Sequence, residues 1–297
     1  MESIFDFSYS AFRDRLSRFR QFYPEHPVEI IGKSCGGREI PAVTIGTGNE
    51  AVLFTGAFHG SEVISGEILV CFLFEAAKAL ERDDSLCGIR IRKVFESRRL
   101  CVVPRVNPDG CEIALHGPCA APEKAAWLKK VCKADCSRYN ANLRGVDINH
   151  NFPAAWQQTR NREREIGIFG PGPTRYGGPF PESEPETAAL ISLCRTIAFR
   201  HALAFHTQGR VIYHTFQNIR PKNARQIAEI LADSAGYRLE EPEPIAAGGG
   251  FKDWFLSEFR RPAFTVEAGL GENPLPCDSL PSLYREVRKL MTLALMV

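Results

Sequence analysis

The chain has 297 residues, 44% apolar and 10% aromatic, with a net charge of +2. That composition supports a sizeable core, and the length suits one large α/β domain. So small a net charge gives no electrostatic case for nucleic acid or an acidic membrane, and no run reaches the ~18 apolar residues of a membrane span.

The opening stretch "MESIFDFSYSAFRDRLSRFRQFYPEHP" is charged throughout and lacks a secretory apolar region with a small-residue cleavage site. A cytoplasmic protein is the expectation, unless a signal peptide has been trimmed. Within it Phe12, Leu16, Phe19 and Phe22 recur at helical spacing. "VEIIGKSCGGREIPAVTIGTG" reads as a hairpin around a Gly-Gly turn. "AVLFTGAF" is a continuous apolar run typical of a buried central strand, and a helix follows over about 65–80. "RRLCVVPRVNPDG" is another buried strand, ended by Asn-Pro-Asp-Gly turn chemistry.

Residues 111–182 are rich in Gly, Pro, Arg and Asn and show no strong period, so they read as long, function-bearing loop. Ser183, Glu184 and Pro185 then start a helix. "HALAFHTQG" is a strand, "PKNARQIAEILADSAG" a helix stopped by Gly236, "RPAFTVEAGLG" a strand, and "SLPSLYREVRKLMTLALMV" a closing helix. This alternation predicts a single α/β domain over 1–297, its sheet covered by helices on both faces. Among ten cysteines, Cys71, Cys101 and Cys194 sit in apolar runs as small core residues. Cys119, Cys132 and Cys136 cluster in a polar stretch whose spacing fits no zinc motif well, and they are expected as free thiols rather than a disulfide or second metal site.

Ligands of such a sheet bind beyond the carboxyl ends of its strands. His59 and Glu62, Asn107, His206 and Glu267 all fall at those ends. Singly, His-x-x-Glu fits a polar turn and His206 a hydrogen-bonded strand end. Together, two His and one Glu make a three-ligand catalytic zinc set with an open position. Glu267 closes an apolar run, where a carboxylate must be paired, metal-bound or tuned, and it has the chemistry of a general base.

The segments "GAFHGSE", "VNPDG", "LRGVDINHNFP", "YGGPFPESEPET", "AFHTQG" and "TVEAG", in that order, resemble the zinc carboxypeptidase family (the M14 metallopeptidases). The resemblance runs from about residue 8 to 290. It implies a mixed central sheet, one zinc ion per chain held by His59, Glu62 and His206, and Glu267 as the base that activates water. It implies Arg144 as the oxyanion-stabilising arginine and Asn149 as a clamp for a substrate carboxylate.

Two positions depart from the family pattern: His150 stands where an arginine usually clamps that carboxylate, and Ile245 where the digestive enzymes carry a tyrosine. With "GPTRYGGPFPESEPET", these departures resemble the bacterial branch that cleaves peptidoglycan stem peptides between γ-D-glutamate and meso-diaminopimelate or a similar diamino acid. Lys252 falls where the family sets specificity for the residue after the cleaved bond, and a lysine suits an extra carboxylate. Arg175 is a rival substrate contact. The expected partner is a peptide, a muropeptide first, with neither nucleic acid nor membrane. The alternatives are a carboxypeptidase acting on acidic C-termini, a small-molecule deacylase, and a non-catalytic muropeptide-binding module.

Overall fold

The computed structural model describes residues 5–133 and 135–297. The expected domain extends over residues 1–4 and 134 as well, which lie outside the described residues. Helix α1 (Tyr9–Phe22) starts at Ser8, whose hydroxyl accepts the Ala11 N–H. It buries Phe12, Leu16 and Phe19, while Phe22 points outward and is 61% exposed. Strands β1 (Val28–Lys33) and β2 (Glu39–Ile45) form the expected antiparallel hairpin. Then come β3 (Glu50–Gly56), α2 (Val63–Glu81), α3 (Ile91–Ser97) and β4 (Arg98–Val103).

Among the described residues, the stretch expected as loop carries α-helix: the end of α4 (Pro108–His116), α5 (Ala125–Cys132) and α6 (Trp156–Glu165). Asn107 and Pro108 start α4 rather than merely ending a strand. The Asn107 carboxamide oxygen accepts the Gly110 N–H at 2.9 Å, because cap and turn chemistry use the same residues. The period of α6 is invisible because the side chains it buries are polar: Thr159, Arg160 and Glu163. Helix α7 (Pro185–Thr196) leads to β5 (Phe199–His206), β6 (Val211–Tyr213), α8 (Ala224–Ala235) and β7 (Arg238–Glu240). The chain then forms α9 (Phe251–Phe259), β8 (Ala263–Glu267) and α10 (Leu280–Ala294).

Eight strands form one sheet in the order β1-β2-β4-β3-β5-β8-β6-β7. The four central strands, β4-β3-β5-β8, are parallel, and β2 and β6 flank them antiparallel. Alternating residues feed two apolar layers. Val52, Phe54, Leu203 and Phe205 pack with α1, α2, α8 and α10 on one face; Leu53, Ala202 and Ala204 pack with α7 and α9 on the other. Burying each such large side chain contributes about 1.5–3 kcal/mol, which makes the central strands a stiff platform.

One cysteine expectation is corrected. Cys132 and Cys136 are joined in a disulfide with Cα atoms 5.0 Å apart, while Cys119 remains a free, exposed thiol. Lys133 takes a left-handed conformation just after α5 and turns the chain back, which brings the two sulfurs together.

Candidate functional site

Parallel pairing puts several carboxyl ends on one edge. Gly56 is in register with Phe205, and Glu267 with His206. His59 lies just past β3 and begins the tight turn Gly60–Glu62 that leads into α2. Only glycine fits at position 60: a Cβ there would lie 2.2 Å from the Gly110 carbonyl oxygen. That close approach lets one turn present both His59 and Glu62.

Glu62 Oε1 lies 2.9 Å from His59 Nδ1, and its Oε2 lies 2.9 Å from His206 Nδ1. The Thr207 N–H donates to Oε2 at 3.2 Å, and the Asn273 amide to Oε1 at 3.4 Å. Burial works against the Glu62 charge, but the two imidazoles hold its pKa down at about 2. One donor atom from each of His59, Glu62 and His206 lies within 4.8 Å of the others. Two imidazole nitrogens and a carboxylate are the donor chemistry of a catalytic zinc site, so the residues fit the ion.

Asp147 extends this arrangement. Its Oδ1 is 3.3 Å from His59 Nε2, the nitrogen facing away from Glu62. The Asn149 and Arg175 N–H groups donate to Asp147 at 3.2 and 2.9 Å. Burial opposes its ionisation, yet His59 and His150 hold it well below the usual carboxylate range. A carboxylate behind a ligating imidazole sets its tautomer and orientation. The sequence marks Asp147 only as a lone acid two residues before Asn149.

A cavity of about 110 Å³ adjoins the cluster, lined in part by His59, His206, Glu267, Asn149, His150 and Lys252. The carboxylate of Glu267, at the end of β8, has no hydrogen-bond partner among the described residues. Burial, then the nearby Glu62 charge, pushes its pKa up to about 8, against a smaller opposing pull from His59. Asn149 accepts the Phe251 N–H at 3.0 Å through Oδ1, and its amide NH2 has no partner among the described residues. Lys252 is 6% exposed, not a solvated loop lysine. Its ammonium donates to the Thr215 carbonyl at 2.6 Å and pairs with Asp253.

Three expected residues stand apart. Arg144 is half exposed, its guanidinium 3.7 Å from Glu184 and outside the cavity lining. Arg175 serves Asp147 through its backbone while its side chain is exposed. Asn107 is structural: its amide donates to the carbonyls of Phe58 and Ala141, tying β3's exit to a loop.

A twisted mixed sheet whose carboxyl edge gathers two histidines, a bridging glutamate and an unpaired glutamate defines a zinc metallohydrolase by fold and site. The model of the zinc carboxypeptidase family matches residues 13–289, and the chain belongs to that family. It is therefore a zinc metallopeptidase with one zinc as cofactor. It is 35% identical to the gamma-D-glutamyl-L-diamino acid endopeptidase 1 of Lysinibacillus sphaericus over 95% of this chain and 70% of that one. The fold matches bovine thrombin-activatable fibrinolysis inhibitor with a TM-score of 0.73, at 16% identity, covering 97% of this chain and 96% of the other. It also matches the murein-tripeptide amidase MpaA of Escherichia coli O157 with a TM-score of 0.55, at 24% identity, over 89% and 91%.

Proposed function

We propose that this metallopeptidase hydrolyses the bond between γ-D-glutamate and meso-diaminopimelate, or a similar diamino acid, in peptidoglycan stem peptides within the cytoplasm. The observation that carries the reading is the buried Lys252 ammonium in the wall of the cavity that Asn149 and His150 also line. Lys252, beside Asn149 and His150, suits a leaving residue with two carboxylates, one on each end of its carbon chain. The 35% identical relative named for γ-D-glutamyl-diamino acid cleavage supports the same substrate class.

In this reading His59, Glu62 and His206 hold the zinc, with Asp147 fixing the His59 ring. Zinc held there supplies Lewis-acid polarisation of a carbonyl and acidification of water. Glu267 takes a proton from the attacking water as its oxygen bonds to the scissile carbonyl carbon. The C–N bond then breaks, and Glu267 hands that proton to the leaving amine. Arg144 is the arginine that the family resemblance assigns to oppose the charge developing on the carbonyl oxygen, from its exposed place beside Glu184. Asn149 and His150 receive the carboxylate next to the new amine, and Lys252 receives the distal one.

A carboxypeptidase for acidic C-terminal residues is the second reading, since Lys252 would equally pair with an acidic side chain. Mass-spectrometric cleavage of L-Ala-γ-D-Glu-meso-diaminopimelate beside ordinary L-peptides by zinc-loaded protein separates the two. Diaminopimelate release alone, abolished in Glu267→Gln, is expected; cleavage restricted to acidic L-peptides would replace the first reading with the second.

A further inference from the structure

His150 is held from behind by a buried network that the zinc chemistry does not use. Its Nδ1 lies 2.8 Å from Glu163 Oε1, and Glu163 is fully buried on α6. The other carboxylate oxygen of Glu163 pairs with Arg160 and accepts the Gly177 N–H at 3.2 Å. The Arg160 guanidinium sits 4.5 Å over the Tyr176 ring. The backbone of His150 is equally confined: a Cβ on Gly249 would lie 2.7 Å from its carbonyl oxygen. Ring and backbone are therefore both fixed. Nε2, the remaining polar atom of the ring, has no partner among the described residues and is not sealed from the cavity His150 lines.

Which hydrogen an imidazole carries is set by the bond its other nitrogen makes. A carboxylate can only accept, so Glu163 commits Nδ1 to carrying a hydrogen. Nε2 then has two states. In the neutral ring it is a bare acceptor that repels a carboxylate; in the protonated ring it is a charge-assisted donor that binds one. An arginine at this place would donate at every accessible pH.

We propose that Glu163 is a positioning residue that makes His150 a proton-gated carboxylate receptor: substrate carboxylate and one proton bind together, the proton going to Nε2. The surroundings set the balance. Glu163 and Asp147 favour a charged ring. His59, Arg175 and Arg160, the last already paired with Glu163, work against it, while the Lys252 ammonium on α9 is partly offset by its pair with Asp253. Burial is the largest influence and holds the His150 pKa below its ordinary value. An arriving carboxylate at Nε2 supplies the missing counter-charge and reverses that preference.

The inference rests on the peptidase reading of the cavity but not on which bond is cut. Calorimetric titration of zinc-loaded protein with meso-diaminopimelate, in phosphate and in Tris at pH 7.5, counts the protons taken up. Close to one proton per ligand is expected, with affinity falling as pH rises from 6.5 to 8.5. Glu163→Gln keeps the hydrogen-bond acceptor but loses the charge. It should bind on the order of tenfold more weakly and take up far less proton.

Because Glu163→Gln leaves Arg160 buried without its partner, the double variant Arg160→Met, Glu163→Gln removes the charged pair together and guards against misfolding. Unchanged proton uptake in a folded variant, or none in the unaltered protein, would overturn the proposal. Should diaminopimelate not bind, the substrate reading fails. The same titration with the carboxylate product of whichever L-peptide is cleaved then decides on Glu163, and if no peptide is cleaved the inference falls too.

Discussion

Strand β5 carries a histidine near each end, and the two have opposite lives. His201 sits near the amino end, buried, with its Nε2–H donating to the Ala294 carbonyl of α10 at 2.8 Å. His206 sits at the carboxyl end, equally buried, with its Nδ1 on Glu62 and its ring stacked on Phe58 at 5.2 Å. Both are imidazoles in the same central strand. Helix packing closes over one end of the sheet and gives one ring nitrogen a backbone carbonyl, its Nδ1 being buried without a partner among the described residues, whereas the other end opens on turns that bring in a carboxylate. Position along a parallel strand, not burial, separates a core histidine from a candidate ligand.

That contrast can be broken most severely at the carboxyl edge. Glu267→Gln should lower turnover by roughly 10²- to 10⁴-fold while zinc content, measured by atomic absorption, stays at one per chain. A variant that loses its zinc instead would make Glu267 a ligand rather than a base. Asp147→Asn comes next: with His59 less firmly oriented, zinc affinity by chelator competition should fall about 10- to 100-fold. Unchanged affinity would remove Asp147 from the metal's support.

The amino end yields a smaller, different effect. Burial first, with Arg200 and Arg98 adding to it, pushes the His201 pKa down to about 4 from 6.5, against the Ala294 hydrogen bond. The unfolded chain binds a proton between those values that the folded chain refuses. The associated stability is therefore complete above pH 6.5 and is lost as pH falls toward 4. At about 1.36 kcal/mol per pH unit, that is on the order of 3 kcal/mol. Urea unfolding at a series of pH values should show this acid loss shrinking in His201→Gln, with zinc content and turnover kept. An identical acid profile would mean that His201 does not stay neutral in the fold.

How much of the site was legible follows from where its residues lie. His59, Glu62, His206 and Glu267 interrupt or close apolar runs, and a polar residue at the end of a buried strand stands out in a linear sequence. Asp147, Glu163 and Asp253 do not. They act from behind other residues; Asp147 and Glu163 lie in segments as polar as surface loop, and nothing in the sequence marks Glu163 as wholly buried. Helix α9 was missed because glycines precede it and its apolar residues are crowded over one short stretch. The extra strands β6 and β7, the last two of the sheet, are only three residues each, too short for alternation to register.

The sequence by itself determined the α/β alternation, the strands buried on both faces, and the residue types able to hold zinc, because those depend on local periodicity and side-chain chemistry. Only the tertiary structure decided which carboxylate backs which histidine, that Lys252 is buried beside the cavity, and that Cys132 meets Cys136. The first two are made by strand register and helix packing, and a hydrogen bond across a long stretch of chain leaves no trace in spacing; the disulfide, between residues four apart, depends on the backbone turn after α5.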